Sequence, residues 1–363
     1  MIFSKNVKII KMVITETNLI PRTISSVDEL LARHELARNE NKRPKITPIF
    51  IDKWSSPEIF TNPFHLSPQD IDQLIFYNPS KPIESSKGKL IAIRVEPRQS
   101  EFSRVFFLAQ KKGEYIWHPL KQLPSIELQD PFFLGKIEGK RIFGGVKIWQ
   151  DEEEPGRIAY RTCLWRLEDI LGAIDLPTAT FKEPFFEGPK YMKGIRLLEL
   201  APGRIAVFTR PQGERGGRGQ IAYTEISSLS QLTPEVTANA PIVEGLFRPE
   251  EWGGVNDLFL LEDGRIGVIG HIAREKEGLK DYYPISFIFD PKTFKFSDLK
   301  ILVSEKDYLG PDYVSKNPSN LRYILYPGGY LPPAAGEKRG KLYAGLGDFK
   351  AVEISLPHPF QEE

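Results

Sequence analysis

Apolar and polar positions along the chain alternate in short runs with turn residues between them, a pattern of strands rather than of long helices. β-Branched and aromatic runs are punctuated by 29 glycines and 30 prolines. One segment departs from this. In Ser26-Val-Asp-Glu-Leu-Leu-Ala-Arg-His-Glu-Leu-Ala-Arg, Val27, Leu30, Leu31 and His34 share one face at helical spacing. Ser26 with Glu29 three residues on makes a capping-box signature. The spacing predicts a helix over 26–38, and Arg166-Leu-Glu-Asp-Ile-Leu a second, shorter one. Everything else predicts a mainly β chain.

A degenerate repeat runs through the strands. Five times an apolar stretch is followed by Gly, a basic residue and another apolar stretch: Gly88-Lys, Gly139-Lys, Gly203-Arg, Gly264-Arg and Gly340-Lys. Each reads as a hairpin in which Gly supplies the positive φ of the turn. The turns are 51, 64, 61 and 76 residues apart. A four-stranded propeller blade takes about 40–50 residues, so these intervals fit blades with long loops. The expected architecture is all-β: a five-bladed β-propeller over residues 71–363, preceded by an N-terminal extension over 1–70 that carries the helix. Polar residues stand seven to ten positions before four of the turns: Asn78, Asp130, Lys193, and Asn256 with Asp257. On inner strands such residues would converge on the axis, where scattered positions build one ligand site.

The chain has 363 residues, and composition narrows its partners. Lys plus Arg (49) nearly equals Asp plus Glu (48), so the net charge of +1 gives no bulk field for nucleic acid or an anionic membrane. Lysines interrupt every apolar run near the N-terminus, and no stretch reaches the ~18 apolar residues of a membrane span. A soluble, cytoplasmic protein is expected. Met12 could be the true start. The single cysteine, Cys163, excludes an internal disulfide framework and reads as a buried thiol. Histidines number five and none clusters with Cys, Asp or Glu at ligand spacing, so neither a metal nor a cofactor is expected. The chain lacks the Gly-x-Ser-x-Gly elbow of serine hydrolases, the Walker pattern and the dinucleotide fingerprint.

Candidate chemistry falls in five places. Arg94, Glu96, Arg98 and Glu101 crowd eight residues beside an apolar strand, and alternation puts Arg94, Glu96 and Arg98 on one face. They could grip sugar hydroxyls or simply compensate one another on a solvated face. Asp130, in Gln-Asp-Pro-Phe-Phe, has apolar neighbours that can raise its pKa and suit it to general-acid work, although turn aspartates are common. Lys193, Arg196, Arg210, Arg215 and Arg218 surround a glycine-rich loop, which serves equally as an anion site or a surface hairpin. Asp257 opens a strand and His271 ends its return, which could make them neighbours. Arg322, Tyr326 and Asp348 are the candidates of the last repeat.

Several of these segments together resemble the family of β-1,2-mannosyltransferases/phosphorylases, related to the five-bladed mannoside phosphorylases. The resemblance spans roughly residues 70–356. It is carried by Tyr77-Asn-Pro, Arg94-Val-Glu-Pro-Arg-Gln-Ser-Glu, Gln129-Asp-Pro-Phe-Phe, Arg210-Pro-Gln-Gly with Gly217-Arg-Gly, Gly254-Val-Asn-Asp and Leu342-Tyr-Ala-Gly-Leu-Gly-Asp. It implies transfer between mannose 1-phosphate, or inorganic phosphate, and an oligosaccharide. Asp130 is then the single catalytic acid. Lys193, Arg196, Arg218 and His271 are the phosphate ligands. Asn78, Arg94, Glu96, Glu101, Asn256, Asp257, Arg322 and Asp348 hold the sugar. Gly194 follows Lys193 where related phosphorylases carry Asp. The alternatives are a glycoside hydrolase on the same scaffold and a sugar-binding propeller without catalysis. The extension could also support contact between copies in a homo-oligomer.

Overall fold

The structure is a computed structural model that describes residues 24–37, 43–85, 88–171, 182–310 and 313–360. Residues 1–23, with Met12, and Arg38 at the end of the expected helix lie outside the described residues. Strands dominate, as the alternating pattern predicts.

Among the described residues the strands sort into five consecutive antiparallel groups. The first is Leu74–Tyr77, Gly88–Pro97, Arg104–Gln110 and Ile116–Pro119. The second is Gln129–Ile137, Lys140–Gln150, Ile158–Arg166 and Phe186–Glu187. The third is Arg196–Ala201, Arg204–Thr209 and Ala222–Ile226. The fourth is Glu251–Leu260, Ile266–Lys276 and Leu279–Asp290, and the fifth Leu321–Leu331, Arg339–Leu346 and Lys350–Pro357. Short parallel pairings join the fourth group to the fifth and the fifth to the first.

The buried apolar residues lie at the seams between groups. Phe107 and Phe143 meet between the first and second, Phe132 and Leu197 between the second and third, and Phe208 and Val268 between the third and fourth. Ile269 and Leu342 meet between the fourth and fifth, and Ala351 joins Ile93 between the fifth and first. Each sheet thus buries both faces against a neighbour, and the ends of the chain of sheets are packed together.

Four of the five repeated glycines, Gly88, Gly139, Gly203 and Gly264, have positive φ as expected of turns. Gly340 does not. It lies inside a strand, where a Cβ would stand 2.1 Å from the Tyr330 hydroxyl, so it is needed for close packing rather than for turning.

The helix spans Val27–Leu36 and its capping box is complete: Glu29 N–H donates to Ser26 Oγ and Ser26 N–H to the Glu29 carboxylate. Val27 and Leu30 are buried with the third and fourth groups, and Glu251 accepts from Val27 N–H at 2.7 Å. Its apolar face is therefore covered by its own chain. Lys45–Pro48 pairs with Lys350–Pro357, and Phe50–Ile51 with Ile116–Pro119, so the segment ahead of residue 71 adds edge strands to two sheets. Among the described residues no helix is long and apolar enough to cross a membrane.

Candidate active site

Asp130 sits in the first strand of the second sheet group, where a bulge displaces the pairing of Gln129 and Phe132 with the next strand. The Asp130 backbone is left-handed (φ 47°), as are those of Asn78 (φ 45°) and Asp348 (φ 50°). Asp and Asn tolerate this conformation better than other side chains, and strain of this kind collects at functional sites. Asn78 closes the first strand of the first sheet group rather than opening one. It still reaches across the seam, and its Nδ2 donates to Asp130 Oδ1 at 2.8 Å. Gly345 makes room for it, since a Cβ there would lie 1.7 Å from Asn78 Oδ1.

Arg94 Nη1 donates to the same Asp130 oxygen at 3.1 Å. The rest of that guanidinium is fixed by Glu96, at 3.1 and 2.8 Å, and lies over the Tyr77 ring. Glu96 also accepts from the Tyr77 hydroxyl and from Lys316, so four donors fill its four lone-pair directions. Glu96 was expected to hold sugar; instead it positions Arg94. Glu101 is exposed and pairs with Lys316 at 2.9 Å and Arg94 at 3.6 Å, leaving it at the rim.

Burial alone would push the Asp130 carboxyl up, but the charges of Arg94 and Lys193 and the hydrogen bonds from Asn78 and Arg94 outweigh it, and its pKa lies below the ordinary value. The expectation of a raised pKa is therefore corrected: desolvation is present but overcompensated. The raised carboxyl is Asp348. Burial lifts it to about 6, Asp130 adds to this, and Arg94 and Lys316 oppose it. Among the described residues its carboxylate has no hydrogen-bond partner.

A second group of cations lies near Asp130. Among the described residues the Lys193 ammonium has no hydrogen-bond or ion-pair partner; burial and the nearby Arg210 and Arg94 lower its pKa, while Asp130 partly restores it. Arg210, which the sequence placed in the basic group without a role, is buried and among the described residues donates only to carbonyl oxygens, of Gly253 at 2.6 Å and Arg218 at 2.9 Å. Glycines line its path: a Cβ at Gly219 would come within 2.5 Å of its Nε and one at Gly254 within 2.9 Å of its Cδ. Gly194, the departure noted beside Lys193, has φ +81° and packs on the Arg210 stem. Arg196 is held by the carbonyls of Asn256 and Ile195 and lies 3.4 Å over the Phe132 ring; burial lowers its pKa to about 10. Arg218 is half-exposed, stacked 3.6 Å over Trp252 and paired with Glu275 at 2.9 Å.

Asn256, not Asp257, is the partner of His271. Its Oδ1 lies 2.7 Å from His271 Nδ1, and its Nδ2 donates to Pro327 O at 2.6 Å. That second bond fixes the amide orientation, so His271 Nδ1 carries the hydrogen and Nε2 of the neutral ring is an acceptor. Burial, with Arg210, Lys193 and Arg196 nearby, holds the His271 pKa well below the usual range. A neutral imidazole with a bare Nε2 accepts a hydrogen bond rather than donating one. Tyr326 and Tyr282 flank its ring.

Two other expected sugar ligands are committed elsewhere. The Asp257 carboxylate accepts from Lys81 at 2.7 and 2.8 Å and from the N–H groups of Leu258 and Tyr330. Arg322 forms a fork with Asp281 at 2.9 and 2.7 Å, where the fourth and fifth groups join. Both are struts between sheets. Cys163 is buried, with its pKa pushed up to about 12 by burial and Glu187, and is no nucleophile. Among the described residues no His, Cys, Asp and Glu group could hold a metal.

The mainly β chain thus brings the ionised Asp130 together with Lys193 and the buried Arg94, Arg196 and Arg210. Residues 55–362 match the family described as Protein of unknown function (DUF1861), and the chain belongs to it. No curated protein matches the chain. Solved structures do. MPT-4, a mannose phosphorylase from Leishmania mexicana in complex with phosphate ion, is 26% identical, with a TM-score of 0.71 over 91% of this chain and 93% of that one. MPT-1, a GDP-Man-dependent mannosyltransferase from the same organism, is 23% identical, with a TM-score of 0.72 over 93% and 96%. A β-1,2-mannobiose phosphorylase from Listeria innocua shares the fold more distantly, at 11% identity and a TM-score of 0.50 over 79% and 91%.

Proposed function

We propose that this chain is a carbohydrate-active enzyme, a mannoside phosphorylase or mannosyltransferase. Its five sheet groups are read as the blades of a five-bladed β-propeller over residues 71–363, with residues up to 70 as an extension. The observation that carries the reading is the buried Asp130, ionised and braced by Asn78 and Arg94, in the field of Lys193, whose ammonium has no hydrogen-bond or ion-pair partner among the described residues. The likeness to the phosphate-bound mannose phosphorylase supports the same reading.

In the synthetic direction, the acceptor hydroxyl attacks C1 of mannose 1-phosphate, the C1–O bond to phosphate breaks, and the hydroxyl proton passes to Asp130, directly or through a sugar hydroxyl. A lowered pKa keeps Asp130 in the ionised form that can take that proton. The reverse reaction returns the proton to the leaving oxygen while phosphate attacks C1 from the opposite face. Phosphate is already anionic and needs cations rather than a second carboxylate, and Lys193 with Arg210 and Arg196 supplies them. A phosphate dianion beside Lys193 also cancels part of the charge that depresses Asp130. Binding it therefore raises the acid's affinity for the proton it must donate. His271 Nε2, Asn256 and Asp348 are left to orient sugar hydroxyls. The reading carries the expectation of a cytoplasmic enzyme whose partners are phosphate and an oligosaccharide.

Asp348 favours one rival, a hydrolase in which a second carboxylate activates water. Incubation with mannose 1-phosphate and mannose separates the two: a transferase makes mannosides and free phosphate together, and degrades them again only when phosphate is supplied. Mannoside cleavage independent of phosphate would establish the hydrolase.

A further inference from the structure

A cavity of about 810 Å³ opens from Lys193 and Arg210 toward solvent, walled by the glycine-rich loop and the ends of strands in the fourth sheet group. It lies in the upper part of the ~300–1,000 Å³ range of small-molecule sites, more room than orthophosphate needs. Among the described residues no Asp or Glu lines it. Its outer wall carries Arg215, Arg218 and Lys280. Among the described residues Arg215 is tied only to the carbonyls of Ala238 and Ala240, and the Lys280 ammonium has no partner. Of these three, among the described residues, Arg218 alone meets a carboxylate, that of Glu275. Arg157 and Lys190, which also line the cavity, are paired with Glu154 and with Asp151 and Glu153, so the uncompensated charge of the outer wall is that of Arg215 and Lys280, and in a chain of net charge +1 this excess is local.

Two of the aromatic rings that line the cavity are covered by guanidinium groups. Arg218 lies 3.6 Å over Trp252 and Arg157 3.8 Å over Tyr191. Over Trp252 and Tyr191 the wall therefore presents guanidinium N–H edges, which suits oxygen anions.

We propose that the outer end of this cavity is a second oxyanion subsite, formed by Arg215, Arg218 and Lys280, that takes a phosphoryl group in addition to the one held at Lys193 and Arg210. The proposal rests on the reading of the inner end as a phosphate site. It makes the substrate doubly phosphorylated, the second group belonging either to the leaving group or to a sugar.

Calorimetric binding to the full-length protein, measured separately from turnover, tests this with inorganic phosphate, pyrophosphate, mannose 1-phosphate and a hexose 1,6-bisphosphate. The subsite predicts that pyrophosphate binds at least tenfold more tightly than phosphate, or the bisphosphate at least tenfold more tightly than mannose 1-phosphate. The first result assigns the second group to the leaving group and the second to a sugar. Lys280→Ala and Arg215→Ala should bring the favoured ratio toward one, whereas Lys193→Ala should weaken all four ligands. Ratios near one in the wild-type protein would overturn the subsite even if mannosyl transfer is observed. A high ratio that responds to Lys280→Ala, without any transfer, would uphold the subsite and reject the catalytic reading.

Discussion

Asn78 and Asp130, 52 residues apart, meet across the seam between the first two sheet groups through a 2.8 Å hydrogen bond, each in a left-handed backbone conformation. The bond favours the ionised form of Asp130. Asn78→Ala removes it and places Ala at φ 45°, so it should cost about 2–4 kcal/mol of stability, from a charge-assisted hydrogen bond and left-handed strain together. The more telling change is in the pH profile. Without the bond the Asp130 pKa rises, so the acidic limb of the synthetic reaction moves to higher pH. An unmoved limb in a folded variant would show that Asn78 is structural only.

Lys193 has no counterion besides the field of Asp130, and its burial is costly unless a ligand supplies charge. Lys193→Ala should weaken phosphate about 10–100-fold, the range of a charge-assisted contact. Titration calorimetry of phosphate measures this directly.

Asp348 gives a pH signature of opposite sign to the usual carboxylate. Its folded pKa of about 6 lies above the ~3.9 of an unfolded Asp. The folded state then binds more protons between those values, so stability falls as pH rises from about 4 to about 6 and is level above. Asp348→Asn keeps a side chain that tolerates left-handed backbone and removes the charge. It should raise the melting temperature at pH 7 and give no gain near pH 4. A variant less stable than wild type at pH 7 would contradict this.

His271 should remain neutral throughout the working range, because burial and three neighbouring cations oppose its protonation. Its ring proton resonances should not titrate between pH 5 and 8. A midpoint near 6.5 for His271 would remove the argument that it serves as a hydroxyl acceptor.

What the sequence conveyed depended on how locally each feature is encoded. The capped helix at Val27–Leu36 needs only residues within itself, and the hairpins at Gly139, Gly203 and Gly264 need only a turn glycine between apolar runs. Asp130 and Lys193 were legible because unusual polar residues interrupt apolar stretches. The occupation of a carboxylate was not legible. Asp257 is claimed by Lys81 from 176 residues away, and Glu96 by Lys316 from 220 residues away, and no local spacing records such partners. Arg210 was visible as a basic residue, but its burial depends on three glycines from separate segments, Gly194, Gly219 and Gly254. The sign of the Asp130 shift was missed for the same reason: its apolar neighbours are adjacent in sequence, its cations are not.

The central claim is that Asp130 exchanges a proton with the glycosidic oxygen beside a phosphate held by cations. The most direct test is phosphate release from mannose 1-phosphate in the presence of mannose, for the wild type and Asp130→Asn. The wild type should release phosphate in step with mannoside formed. The variant should be slower by about 10²–10⁴-fold, the usual contribution of a positioned acid or base, while remaining folded. Undiminished release by a folded Asp130→Asn would contradict the account.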